Sequence, residues 1–304
     1  MSGSEVLPTR RPRRAERSGR QRAGRPTVCL LAALLAFGVR PLRADDPKEI
    51  LRRAIVLDSE ESKLRKQYTY IERDEERKLD RAGKVASRES KTWDVTQLDG
   101  RQFRSLIQQN DKPLTPKELQ QEEERKQKIA AQRRKNAARR AKETPEQRDE
   151  RQAKAHRQDE EDARQIIDAF DLRLLPDEQI DGMPVWVVEG TPRKGYQFKN
   201  GDLRFFGKLQ GRIWISKSDY QPVKIEAESI DTIAFGGIVA RVQKGARLHV
   251  EFTRVNSEVW LPKHFSVTFN ARLLVVKGFH QEEDITYSNY KKFSAESRIV
   301  DDQQ

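Results

Sequence analysis

The sequence predicts an α+β fold that is mainly antiparallel β, with an N-terminal helix and a charged two-helix insertion. The stretch "GRIWISKSDYQPVKIE" (211–226) is the first of three grounds. Ile213 and Ile215 fall on one side of an extended backbone, Trp214 and Ser216 on the other, and after a polar break Val223 and Ile225 resume the apolar side. That period of two is a hairpin with one buried face. The second ground is "HFSVTFNA", where Phe265, Val267, Phe269 and Ala271 share one face and His264, Ser266, Thr268 and Asn270 the other. Third, no strand is a solid apolar run and no long helix separates the C-terminal strands, so the sheet reads as antiparallel with one face covered.

Taken in order, residues 1–44 read as an export signal. Ten arginines stand there against Glu5 and Glu16, a net +8 of the chain's +12, which leaves +4 for the remainder. The pI near 9.7 therefore belongs largely to this segment, and a nucleic-acid partner is not expected. Val28–Val39 is a run of twelve mostly apolar residues, signal-length and short of the roughly 20 needed to span a bilayer. Cleavage after Ala44 would remove Cys29, the only cysteine, so no disulfide or cysteine metal site is expected. An uncleaved signal would instead act as an anchor; otherwise membrane contact is transient.

Pro47 opens a helix over 48–66, with Ile50, Leu51, Ala54, Ile55, Leu57 and Leu64 at helical spacing. Three alternating segments follow, 68–79, 84–100 and 101–110, separated by turns at Asp80–Gly83 and Asp99–Gly100. Residues 115–168 then hold 15 Lys/Arg, 13 Asp/Glu and no aromatic residue. Thr115-Pro116-Lys117-Glu118 and Thr144-Pro145-Glu146-Gln147 are two helix starts with the same capping signature. The segment reads as a helical pair, solvated and at best lightly docked, because its large apolar residues are confined to Leu119, Ile129, Ile166 and Ile167. Beyond Phe170 the β pattern returns as hairpin after hairpin, the first turning at Asp181-Gly182.

This order resembles the periplasmic lipoprotein-carrier (LolA/LolB-like) superfamily. The local match is "GRIWISKSDYQPVKIEAE", with a second in "EVWLPKHF" (258–265). The resemblance implies a half-open β-barrel around a cavity for a lipid or another apolar ligand, with the 48–66 helix as part of the filling. The insertion 115–168 departs from the family layout. The domain reading is therefore an export signal, 1–44, and a half-open barrel domain, 45–304, interrupted by 115–168.

Candidate ligand-binding residues follow. Trp186 and Trp214 are placed either to line a cavity or to pack the core. "IAFGGIVARVQKG" (233–245) does not alternate cleanly, and reads as a flap or a buried crossover. As a flap it would offer Phe235, Ile238 and Val239 to an apolar ligand, and Arg241 and Lys244 to a headgroup. His280, Glu282 and Asp284 share a strand face without a second local histidine, so they read as a solvated face and not as a metal site. No HExxH, GxSxG, phosphate-loop or dinucleotide-binding pattern occurs. Neither a cofactor, a metal nor an enzymatic activity is expected. The function expected is an exported binding protein for a lipid, a lipoprotein acyl chain or another apolar ligand. The alternative is a periplasmic adaptor contacting a protein partner through 115–168.

Overall fold

The N-terminal helix forms where its signals place it, as α1 (Pro47–Arg65). The Asp46 side chain accepts a hydrogen bond from the Lys48 amide at 3.0 Å, and Pro47 occupies the first turn. The computed structural model describes residues 45–80, 82–98, 101–235, 240–273 and 277–293. The expected export signal with Cys29 lies outside them.

After α1 come β1 (Tyr68–Leu79), β2 (Val85–Leu98), β3 (Arg101–Gln109) and the two-residue β4 (Lys112–Pro113). The insertion is α2 (Pro116–Arg140) and α3 (Pro145–Asp168). It is followed by β5 (Phe170–Ile180), β6 (Met183–Pro192), β7 (Leu209–Ser216), β8 (Pro222–Ser229), β9 (Ile233–Phe235), β10 (Ala240–Val242), β11 (Arg247–Val255), β12 (Val259–Leu273) and β13 (Lys277–Lys292). A 3₁₀ helix over Gly201–Lys208, between β6 and β7, had no clear signal in the sequence.

The strands form one curved antiparallel sheet that does not close. Its order is β4-β3-β2-β1-β13-β12-β11-β8-β7-β6-β5, with the β9–β10 hairpin attached to β12. Asp181 (φ +50°) and Gly182 (φ +78°) make the tight turn between β5 and β6. At Gly211 a Cβ would fall 2.2 Å from the Glu226 carbonyl oxygen, so only glycine lets β7 approach β8 there. The two free edges of the sheet are β3–β4 and β5, and the α2–α3 pair is the covalent link between them.

Both insertion helices start with complete capping boxes, at Thr115/Glu118 and Thr144/Gln147. Their docking is firmer than the sequence predicts. Arg133 donates to the carbonyls of Leu98 (2.9 Å), Arg101 (3.1 Å) and Gln102 (2.8 Å), and Arg125 donates to that of Arg104. Glu122 accepts the Leu106 amide at 3.1 Å. The side chains of α2 thus occupy backbone groups of β3 that would otherwise lie open as a sheet edge. The guanidinium of Arg125 also lies 4.8 Å from the ring centre of Phe103. At the far end, the buried Gln165 accepts the amides of Lys199 (2.7 Å) and Asn200 (3.3 Å), and Ile167 is buried. Scarce apolar residues signalled little burial, but polar side chains on a sheet edge dock a helix without it.

The sheet has two unlike faces. On the face covered by α1, Ile50 and Ala54 pack with Trp186, Val188 and Ile215. The opposite face carries an ion-pair lattice hubbed on Glu75, which is 4 % exposed. Arg88, Arg73 and Arg77 bond its carboxylate at 2.6, 2.9 and 2.7 Å. The hydrogen bond from Arg88, then those from Arg73 and Arg77, hold its pKa at about 2 against the ordinary 4.5.

Because its folded pKa is depressed, Glu75 contributes stability that is present above the unfolded value and lost as pH falls. Glu75→Gln is therefore expected to lower unfolding free energy at pH 7 by about 3 kcal/mol, the range for breaking a buried ion pair. Denaturant titration at stepped pH should show the deficit closing between pH 4.5 and about 2. For the edge docking, Arg133→Ala is expected to cost roughly 1–3 kcal/mol by the same titration, and the exposed Lys128→Ala near zero.

Candidate functional site

The α1-covered face continues well past the helix. Strand register places Leu174, Val188, Ile213, Ile225, Val250, Phe265 and Ile285 in line across β5, β6, β7, β8, β11, β12 and β13. The next row runs through Ala227, Leu248 and Val267. Helix α1 closes only one end of this surface. Its N-terminal half meets Trp186, Val188 and Ile215, and Leu64 near its C-terminus packs by Tyr68, Val259 and Leu261. Ile225, Leu248, Val250, Phe265, Val267 and Ile285 lie beyond it and are only half-buried. The result is an apolar trough on the helix side of the sheet.

Its β1–β13 flank is aromatic and acidic. The Tyr70 ring lies 5.9 Å from Tyr287 and 5.3 Å from Tyr290. Burial pushes the hydroxyl pKa of all three upward. Alongside, Glu72 stands opposite Tyr287, Asp74 opposite Ile285, and Glu76 directly opposite Glu283. Burial raises the pKa of Glu72, Asp74 and Glu283, and neighbouring carboxylates raise each of them further. Arg104 pairs with Glu72 and lies 4.7 Å over the Trp93 ring, whose buried Nε1–H has no partner among the described residues. Chemically, this is a low-dielectric surface suited to apolar matter, bordered by carboxyls that take up protons more readily than usual.

The candidate tryptophans do not share a cavity. Cross-strand register sets Trp186 opposite Ile215 and Trp214 opposite Val187, so the two indoles occupy opposite faces. Trp186 is closed under α1, donates to Asp45 at 2.7 Å and lies 4.8 Å from the Tyr220 ring, tilted 43° to it. Trp214 packs with Val185, Val223 and Trp260 on the other face, donates to Glu178 at 2.9 Å and lies 3.6 Å under Lys224. Alternation within one strand fixes a residue's side, but the pairing register needed to compare strands was not legible.

The stretch read as flap or crossover forms the β9–β10 hairpin, with β10 paired to β12. Ile238, Val239 and the Phe235 side chain lie outside the described residues. Arg241 stands opposite Arg272, one residue past the buried Ala271, and so on the polar face; Lys244 is exposed in the following turn. The half-buried row from Ile225 to Ile285 was missed as a site. Its signal was present in the alternation of Ile225, Phe265 and Val267.

The polar face has a cleft of about 560 Å³, lined by Arg212, Glu226, Glu228, Arg247 and His249 together with Ala227 and Leu248. His280, Glu282 and Asp284 lie on that face. Asp284 is 2.9 Å from His264, and Glu282 is 3.7 Å from Arg77. Among the described residues, no cluster of three His, Cys, Asp or Glu is placed to hold a metal ion.

No known family model matches the chain, and no curated protein matches it. Solved structures do resemble it. One is a DUF1329 family protein from Desulfovibrio piger, 12% identical, covering 83% of this chain and 96% of that one with a TM-score of 0.30. Another is a putative outer membrane lipoprotein-sorting protein domain from Vibrio parahaemolyticus, 10% identical, with coverage of 82% and 95% and a TM-score of 0.32. A third is a LolA superfamily protein from Nitrosomonas europaea, 12% identical, with coverage of 83% and 95% and a TM-score of 0.27.

Glu283 gives the acidic border a direct check. Like charges directly opposite on a sheet destabilise it, and Glu283 has its pKa raised by burial first and then by Asp74 and Glu76. A raised folded pKa means stability that is present in acid and lost as pH rises. Glu283→Gln is therefore expected to gain roughly 0.2–1 kcal/mol at pH 7. Thermal unfolding across pH should show that gain shrinking as the solution is acidified.

Proposed function

We propose that the chain is an exported carrier or sensor that holds the acyl chain of a lipid or lipoprotein against the uncovered part of its apolar face. One observation carries the reading: α1 crosses the sheet near one end of its strands, from Trp186, Val188 and Ile215 to Tyr68, Val259 and Leu261, and the row from Ile225 to Ile285, further along those strands, is apolar and only half-buried. A guest chain would remove that surface from water at about 25 cal/mol per Å². On the sequence alone, Phe235, Ile238 and Val239 are the residues we assign to contact with an apolar ligand. Export rests on the Arg-rich segment and short apolar run at 1–44. Among the described residues, no helix is long and apolar enough to cross a membrane.

A displaceable fluorescent fatty acid tests this. The full chain is expected to bind it and to release it to unlabelled fatty acid. Val250→Glu, which puts a charge in the row, should weaken binding about tenfold or more. Val56→Glu, at a position 53% exposed on α1, should not. Ile285→Ala keeps the test open should Val250→Glu fail to fold, with a smaller loss expected. Absence of displaceable binding to the wild type would end the carrier reading.

A further inference from the structure

The two edges of the sheet are treated differently. Side chains of α2 occupy backbone groups of β3, whereas β5, at the other end of the strand order, pairs only with β6. The Arg193 amide donates to the Ala169 carbonyl at 2.8 Å, which makes Ala169 and Arg193 a bonded pair. Bonded and non-bonded pairs alternate along an antiparallel ladder, so Asp171, Arg173 and Leu175 turn their backbone groups toward β6. Phe170, Leu172 and Leu174 turn theirs outward, and among the described residues nothing bonds them there. An open run of this kind is a template for another strand. It ends after Leu175, where the register shifts and Pro176 has no amide hydrogen to offer.

We propose that β5 pairs antiparallel with β5 of a second copy of this chain, about a twofold axis at Leu172, so that two sheets join edge to edge. Two conditions fix the axis: outward groups must meet outward groups, and opposite charges must face each other. An axis at Leu172 sets Phe170 opposite Leu174, Leu172 opposite its own copy, and Asp171 opposite Arg173 on both sides. An axis at Asp171 or Arg173 would set like charges face to face. One at Leu174 would oppose Leu172 to Pro176, and one at Phe170 would oppose it to Asp168 in α3. The Leu172 axis closes about six backbone hydrogen bonds. It also continues both faces: Leu172 and Leu174, packed against the core under α1, meet apolar counterparts, and the charged pairs fall on the polar face. The side chains of Asp171 and Arg173 are 73% and 70% exposed. Asp171 receives Arg193 on Oδ1 and Arg173 gives Nη2 to Glu189, which leaves Oδ2, Nε and Nη1 for the facing strand. Because Arg193, Glu189 and Arg212 share that face, the new pairs set register more than they add affinity. One strand edge buries less than a standard interface, which gives a dimer of micromolar strength. The pairing does not depend on the apolar trough, and its test is independent of fatty-acid binding.

Sedimentation velocity of the full chain, from about 1 to about 300 µM, tests this. Wild type is expected to shift from monomer to dimer across that range. Asp171→Arg makes both facing pairs arginine with arginine, and Arg173→Asp makes both aspartate with aspartate. Each variant alone is expected to weaken self-association about tenfold or more. An equimolar mixture of the two is expected to recover it, because every facing pair is then opposite in charge. Recovery also shows that both variants fold. Should either fail to fold, amide exchange on the wild type replaces it: exchange in peptides covering 170–175 is expected to slow as concentration rises. A wild type that stays monomeric with no such slowing would overturn the proposal, as would a dimer that neither variant weakens or folded variants that do not associate when mixed. A monomer whose β5 amides become protected only when an extended peptide is added would assign the edge to another protein's strand, and would overturn self-pairing too.

Discussion

Everything about this molecule follows from one helix lying on one end of a sheet much wider than itself. Ile50 and Ala54 bury against Trp186, Val188 and Ile215, and Leu64 reaches Tyr68, Val259 and Leu261. That packing joins β6 and β7 at one side of the sheet to β12 and β1 nearer its middle, so the covered end is the closed end. Past it, among the described residues, the same apolar face runs on without a partner element. An antiparallel sheet tolerates one wet face when that face is polar. Here the polar lattice is on the other face, so the apolar trough is left without the compensation a solvated sheet usually has.

The charged elements resolve the sheet's remaining liabilities. Open edges invite pairing with other chains, and α2 answers this along β3 by setting Arg125, Arg133 and Glu122 on backbone groups. On the polar face, Glu75 gathers three arginines, so charges that would repel across β1 and β2 share one counter-ion. A chain that is 36% charged thus uses part of its charge where less charged proteins use apolar contact.

Much of the fold was legible because its signals are local. Asp46-Pro47 and the two Thr-Pro-x-Glu/Gln boxes fix helix starts, and the period-two runs of β1, β7 and β12 fix strands and their faces. Long-range facts were not. Nothing in 68–79 says that β1 pairs with β13 near the far end of the chain, or that Trp186 and Trp214 end on opposite faces. Docking of α2 escaped for a different reason: burial was sought in apolar residues, and the contacts are arginine to carbonyl. The apolar row beyond α1 was half legible, since Phe265 and Val267 were read as inward-facing but the reach of the helix over them depends on strand order.

The central claim is that the apolar face beyond α1 is built to be covered by a guest. Native mass spectrometry of the full chain, purified without denaturant from its own host, tests it most directly. The account predicts a population heavier than the polypeptide by the mass of a lipid, which is shed on collisional activation and reduced in the Val250→Glu variant. A single apo mass under gentle conditions, with organic extraction yielding no acyl-bearing molecule, would contradict it.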